Sequence, residues 1–331
     1  MNLHQDQELF RQAITVTAQR MKIPEIYIEK DYWVTLALKT IFKSELAEYT
    51  VFKGGTALSK CYRLIERFSE DIDLVVIKGA DENDNQLKRK LKAITALVSS
   101  VIPETGVKGI THKVGMIRKT AHAYNMGGFD GEYGQVRPQI IVEATWLGNS
   151  EPFAHAEVNS YVADMMLATD QQQLIEKYGL QKFTVKVITK ERTLCEKIMS
   201  LIRFSHTENP YGDLANKIRH VYDIHLILKD QQVADFFESD EFDKMMILVG
   251  TDDIQSFRNN NSWLRVHPKD AVIFVAPKET WKRINNAYQS TFKDLVMGVL
   301  PDETTLVDSL IQVAERLKVI QWNINVGQLP E

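Results

Sequence analysis

The stretch VFKGGTALSKCYRLIERFSEDIDLVV, residues 51–76, carries a glycine pair near one end and two carboxylates one residue apart near the other. A short β-branched and aromatic run, YTVF (49–52), reads as a strand that ends at Gly54-Gly55. Thr56 is a good N-cap, so a helix is expected to start there, with Leu58, Cys61, Leu64 and Ile65 as its apolar stripe. DIDLVVI (71–77) reads as a second strand. Residues two apart in a strand share a face, so Asp71 and Asp73 project together while Ile72, Leu74 and Val76 project oppositely.

Each half of this stretch suggests chemistry. Glycine lets a backbone N–H approach a phosphate closely, and a helix starting at Thr56 aims its unpaired N–H groups at the same place. The Thr56 and Ser59 hydroxyls are further donors. The P-loop pattern is absent, so an ordinary strand-to-helix turn remains the alternative. Two like charges about 6–7 Å apart on one strand face gain nothing structurally, but they become useful around a divalent cation. A third acid lies in QIIVEAT (139–145), where Glu143 interrupts an apolar strand and needs a partner. A shared metal site supplies one; a salt bridge to Arg137 or a lysine, or a solvent-facing strand end, supplies another.

Three carboxylates beside a phosphate cradle are the minimal parts for two-metal phosphoryl chemistry, with ions about 3.5–4 Å apart and acids converging from adjacent strands. Asp71 and Asp73 would bind both ions, and Glu143 would complete the second site.

The rest of the chain sets the context. Of its 331 residues, 44% are hydrophobic and 25% charged, a globular composition at a length that suits about two domains. Pro24 is placed to open a helix through residue 43. Further helices are expected at 87–101, 193–205, 213–229, 232–248, 278–297 and 303–319, with one late strand, FTVKVI (183–188). This gives an α+β chain with a mixed-sheet domain over 1–150 and a mainly helical domain over 151–331.

The net charge of −4 does not advertise nucleic-acid binding, although Lys88, Arg89, Lys90, Lys92, Lys108, Lys113, Arg118, Lys119 and Arg137 form a locally basic stretch. Gly127 and Gly128 of the loop NMGGFDGEYGQ (125–135), with Lys113, Arg118 and Lys119, are candidates to line an acceptor path. In EKDYW (29–33), Lys30 and Asp31 are expected to pair locally while Tyr32 and Trp33 pack. Cys61 and Cys195 form no disulfide framework, the first residues do not read as a signal peptide, and no run approaches the about 18 apolar residues of a membrane span. A cytoplasmic protein is expected. The eight histidines show no zinc-ligand spacing.

GGTALSKCYRLIERFSEDIDL (54–74) resembles the nucleotidyltransferase signature and closely resembles the AbiEii/AbiGii toxin family, partners in bacterial abortive-infection and toxin–antitoxin operons. IEKDYWVTLAL (28–38), RTLCEKIMSLIRF (192–204) and NKIRHVYDIHLI (216–227) agree with it. The resemblance implies a polymerase-β-like catalytic domain followed by a helical domain that contributes to the active site. It implies NTP as substrate, Mg²⁺ or Mn²⁺ as cofactor, and an RNA acceptor, with the tRNA 3′ end favoured. A cognate antitoxin from the same operon is also implied, without any need for direct binding.

Gly54, Gly55 and Thr56 fall on the phosphate-binding motif, and Asp71 and Asp73 fall on the metal motif. Glu143 fits the third acid by strand pattern, although many relatives carry Asp there. Lys197 and Asp223 match two further positions needed for activity. Lys197 lies off the apolar stripe of Leu194, Ile198, Leu201 and Ile202, free to reach a ligand as a point charge. Asp223 follows Arg219 by four residues, as an ordinary helix ion pair does. Two other readings of the same residues are transfer to a protein or small-molecule acceptor, and a non-catalytic nucleotide-binding protein.

Overall fold

Seven strands built on β-branched and aromatic residues join in one mixed sheet, in the order β3-β4-β5-β2-β1-β7-β6. They are β1 (Thr50–Lys53), β2 (Ile72–Val76), β3 (Glu104–Thr105), β4 (Ile117–His122), β5 (Ile140–Thr145), β6 (Phe153–Val158) and β7 (Phe183–Ile188). A computed structural model describes residues 1–129, 137–258 and 260–326, so residues 130–135 of the glycine-rich loop lie outside the described residues.

The chain forms two units. The first comprises Met1–Tyr62, Phe68–Trp146 and Phe153–Ile188, and the second comprises Arg63–Arg67, Leu147–Pro152 and Thr189–Glu331. The sheet belongs wholly to the first unit and continues past residue 150 through β6 and β7.

In the first unit, helices α1 (Gln7–Met21), α2 (Glu25–Phe42), α3 (Gly54–Lys60), α4 (Asp84–Ser99), α5 (Tyr161–Leu167) and α6 (Gln172–Lys177) accompany the sheet. Phe52, Ile72, Leu74, Val76, Ile140, Val142 and Ala144 share one core with residues of α1, α2 and α4. The opposite face carries the alternate residues, and there Val51 and Val75 join a smaller apolar cluster. Asp73 and Glu143 share that second face, because the strand period of two puts them opposite Leu74 and Val142. The first face is thus spent on packing, and the second carries the acids beside a smaller apolar cluster.

Two local features differ from the sequence expectation. The first helix after β1 starts at Gly54 and covers only seven residues, with Lys53 rather than Thr56 at its N-cap. It cannot run on to Ile65. Arg63 sits in left-handed backbone, Glu66 O accepts from Met297 N at 2.8 Å, and Arg67 pairs antiparallel with Val296. Extended pairing within the second unit therefore captures this segment.

The second unit contains α7 (Lys190–Ser205), α8 (Pro210–Ala215), α9 (Ile218–Ile227), α10 (Gln231–Glu238), α11 (Asp240–Ser256), α12 (Val272–Val275), α13 (Pro277–Ala287) and α14 (Glu303–Leu317). Helices α8 to α12 all pack on α7. No helix among the described residues is long and apolar enough to cross a membrane.

Phe52 is fully buried on the packed face of β1. Phe52→Ala is expected to cost about 3–5 kcal/mol in urea unfolding; a loss below about 1 kcal/mol would show that the β1 core is misassigned.

Candidate active site

The parallel pairing of β2 with β5 sets Asp73 directly beside Glu143. On either side of this acid pair stands a lysine: Lys53 of β1 opposite Asp73, and Lys119 of β4 opposite Glu143. Four neighbouring strands thus present the row Lys53, Asp73, Glu143, Lys119 on one face. Asp71, just before β2, belongs to the same face.

The three acids are compensated unequally. Glu143 accepts from the Lys119 ammonium at 2.8 Å, and Asp71 accepts from the Arg137 guanidinium at 3.2 Å. Asp73 makes no hydrogen bond or ion pair among the described residues. Burial, followed by the charges of Asp71 and Glu143, raises its carboxyl from 3.8 to about 7. Burial opposes the charge on Lys119, but Glu143, with Asp71 and Asp73 beyond it, raises its pKa overall.

Gly54 closes the site from the side of β1. It has a φ of +83°, and a Cβ there would collide with the Asp73 carboxylate. Only glycine combines that backbone with that approach. Thr56 is buried, with its hydroxyl 3.0 Å from Ser69 Oγ, and Ser59 Oγ donates to Thr56 O at 3.0 Å. Both hydroxyls therefore brace the turn itself.

The donor set fits a hard divalent cation in type, since all three acids supply carboxylate oxygen and the charges of Asp71 and Glu143 act on Asp73 more strongly than those of Lys53 and Lys119. Among the described residues, however, no three acids, histidines or cysteines stand close enough to hold one ion together. Glu143 is turned toward Lys119, and Asp71 toward Arg137.

The second unit carries a different charge cluster. Asp223 is completely buried, accepting from Arg67 Nε at 2.7 Å, Arg67 Nη2 at 2.8 Å and Lys197 Nζ at 2.6 Å. Burial alone would raise the Asp223 carboxyl, but Arg67 and Lys197 hold it far below its ordinary range. Lys197 was expected to stand off the core. It is buried instead, because the helices wrapped around α7 cover more than its apolar stripe. Asp223 is not simply the partner of a neighbouring helix residue, since Arg67 reaches it from 156 positions earlier in the chain.

Sequence reasoning did not single out Arg67, Lys53 or the pairing of Arg137 with Asp71, whereas the salt bridge to a lysine that it allowed Glu143 is the one Lys119 makes. The one available signal for Arg67 was its place four residues before Asp71, inside the motif block.

The family described as nucleotidyl transferase AbiEii toxin, type IV toxin–antitoxin system, matches residues 36–309. The chain belongs to this family, and is thus a nucleotidyltransferase toxin of a type IV system, whose operation implies a nucleotide substrate and an antitoxin. No curated protein matches it. Among solved structures it is similar to MenT4, a nucleotidyltransferase toxin from Mycobacterium tuberculosis H37Rv, at 17% identity and a TM-score of 0.42, over 93% of this chain and 98% of that one.

Two outcomes are expected. Gly54→Ala pushes the Asp73 carboxylate aside and lowers kcat/KM about 100-fold in a nucleotide-transfer assay; unchanged kinetics would contradict the close approach. Asp223→Asn leaves two cations buried around a neutral amide and costs about 3–5 kcal/mol at pH 7. Because the folded pKa of Asp223 is depressed, its stabilisation is present above the unfolded value near 3.8 and fades as pH falls through the folded value. The stability gap between parent and Asp223→Asn should therefore narrow below pH ~4 in chemical denaturation. A gap independent of pH would rule out the ionised triad.

Proposed function

We propose that the protein transfers a nucleoside monophosphate from an NTP to an RNA acceptor, with the tRNA 3′ end favoured, in a reaction that depends on Mg²⁺ or Mn²⁺. The observation that carries this reading is the lateral contact of Asp73 with Glu143 in parallel register, with Gly54 pressed against Asp73. Asp71, Asp73 and Glu143 are the proposed metal ligands. A divalent cation held by them supplies Lewis acidity toward the triphosphate and lowers the pKa of an attacking hydroxyl.

The chain's own residues do the positioning. Gly54, Gly55, Thr56 and Ser59 form the turn proposed to receive the phosphates, with Thr56 and Ser59 keeping its shape through their hydroxyl bonds. Asp71 and Glu143 are held in orientation by Arg137 and Lys119. Lys197 and Asp223 are proposed as required for transfer, on the family resemblance. The helical unit would contribute to the reaction through them.

An RNA acceptor is supported by the part of the basic stretch that remains exposed. Lys90, Lys113, Lys119 and Arg137 are engaged in ion pairs with Glu82, Glu104, Glu143 and Asp71. Lys88, Arg89, Lys92 and Lys108 are exposed, and exposed cations supply sequence-independent affinity for a phosphate backbone. The proposed setting is the bacterial cytoplasm during abortive infection, with an antitoxin that need not bind the toxin.

The test incubates the protein with bulk RNA, Mg²⁺ and each labelled NTP in turn, alongside Asp73→Asn. Label is expected in RNA with at least one NTP, and only background with the variant. Burial, followed by the repulsion of Asp71 and Glu143, disfavours the charged Asp73 carboxylate, so replacing it with a neutral amide is not expected to lower the melting temperature. Label in protein or in a small-molecule fraction alone would replace the acceptor. An active Asp73→Asn would sink the site.

A further inference from the structure

The first unit contains a buried cation that the proposed chemistry does not use. Lys30 lies on α2, and its side chain is 0% exposed. A fully buried ammonium is tolerated only when its three N–H groups are satisfied. Here Nζ donates to the carbonyl oxygen of Arg137 and to that of Gln139 at 2.7 Å, and forms an ion pair with Glu70 Oε2 at 2.7 Å. Glu70 in turn accepts from Arg137 N through its other oxygen at 3.1 Å.

These partners are not scattered. Glu70 immediately precedes Asp71, where the chain runs into β2. Arg137 and Gln139 lead into β5, four residues before Glu143 in the case of Gln139. The two strands are parallel, so their starts lie at the same end of the sheet. One ammonium therefore ties together the beginnings of the two strands that carry all three acids. It also fixes the backbone of Arg137, whose guanidinium holds Asp71.

Parallel register has no hairpin to enforce it, and a slip by one residue would send Glu143 to the packed face and Val142 to the acid face. The flanking residues of α2 make similar long-range bonds. Glu29 accepts from Gly127 N at 2.7 Å, and Asp31 accepts from Lys60, at the end of α3, and from Tyr161 N at 2.8 Å. Lys30 is the one of the three whose bonds converge on the acids.

We propose that Lys30 is a positioning residue for nucleotide transfer: it holds the starts of β2 and β5 in the register that sets Asp73 beside Glu143, with Asp71 just ahead on the same face. This rests on the reading of those three acids as metal ligands. Lys30 touches neither nucleotide nor cation in this role.

The test uses the full-length protein, with Mn²⁺ as the probe, its binding followed by water-proton relaxation. Lys30→Met alone strands the Glu70 carboxylate in the interior and is expected to destabilise the fold. The double variant Lys30→Met/Glu70→Gln removes both charges while keeping similar volumes. It is expected to melt cooperatively, to bind Mn²⁺ about 10-fold more weakly or worse, and to lose kcat by a similar factor. Glu70→Gln alone leaves the two carbonyl bonds of Lys30 in place and is expected to lose less on both counts.

A folded double variant with parental Mn²⁺ affinity and kcat would overturn the inference while leaving the metal reading intact. An equal loss in Glu70→Gln alone would transfer the role to Glu70. Absence of Mn²⁺ binding and of transfer in the parent protein itself would sink the metal reading, and the role of Lys30 with it.

Discussion

The parallel pairing of β2 with β5 is the constraint on which the acid face depends. It brings together residues 70 positions apart in sequence, Asp73 and Glu143, and its register decides which residues face the helices. Ile72, Leu74, Val142 and Ala144 reach the core in this register, and a one-residue slip would turn a strand's set to the other face. The same hydrophobic burial that stabilises the sheet therefore forces two carboxylates into neighbouring positions on its other side. Gly54 then narrows the space around Asp73 further, at a backbone conformation that only glycine adopts at low cost.

The polar groups in α2 show how such a face is kept in order. A helix buried on most sides should be apolar throughout, yet Glu29, Lys30 and Asp31 are all buried in it. Successive helix residues point about 100° apart, so three adjacent side chains can reach three separate segments. Most of their partners are backbone groups in loops and just ahead of strands, where no regular ladder satisfies them. Each unmet carbonyl or N–H there would cost about 1–3 kcal/mol, and the charged side chains of α2 meet several of them at once.

Much of this architecture was legible in the sequence, in proportion to how local its cause was. β1, β2, β5 and β7 are rich in β-branched residues and stood out by composition. β4, with Ile117, Arg118 and Lys119 half-exposed, and β6, Phe153–Val158 at the sheet edge, lack a continuous apolar face and did not. The Gly-Gly and Asp-x-Asp pieces could be read together because they lie within one short stretch. The partner of Lys30 could not: Gln139 lies 109 residues away, and a neighbouring Asp31 offered a simpler pairing that the structure does not use. Lys197 was misjudged for a related reason. Periodicity identifies the most apolar side of α7, but not how much of the remainder its neighbours cover.

The two charge clusters obey opposite electrostatics. Around Asp223, two cations serve one buried acid; the carboxylate is held ionised, and removing either side leaves charge stranded in the interior. That arrangement resists change. Around Asp73, the nearest acids are paired with Lys119 and Arg137, while burial and then their repulsion let Asp73 hold its proton up to about pH 7. A fold seeking only stability gains by replacing that carboxylate with a neutral side chain. An acid kept under such pressure, on the less packed face and against a glycine that makes room for it, fits the proposed cation-binding site. In the Asp223 cluster the opposite charges satisfy one another, whereas at Asp73 burial and like charge outweigh the nearby lysines.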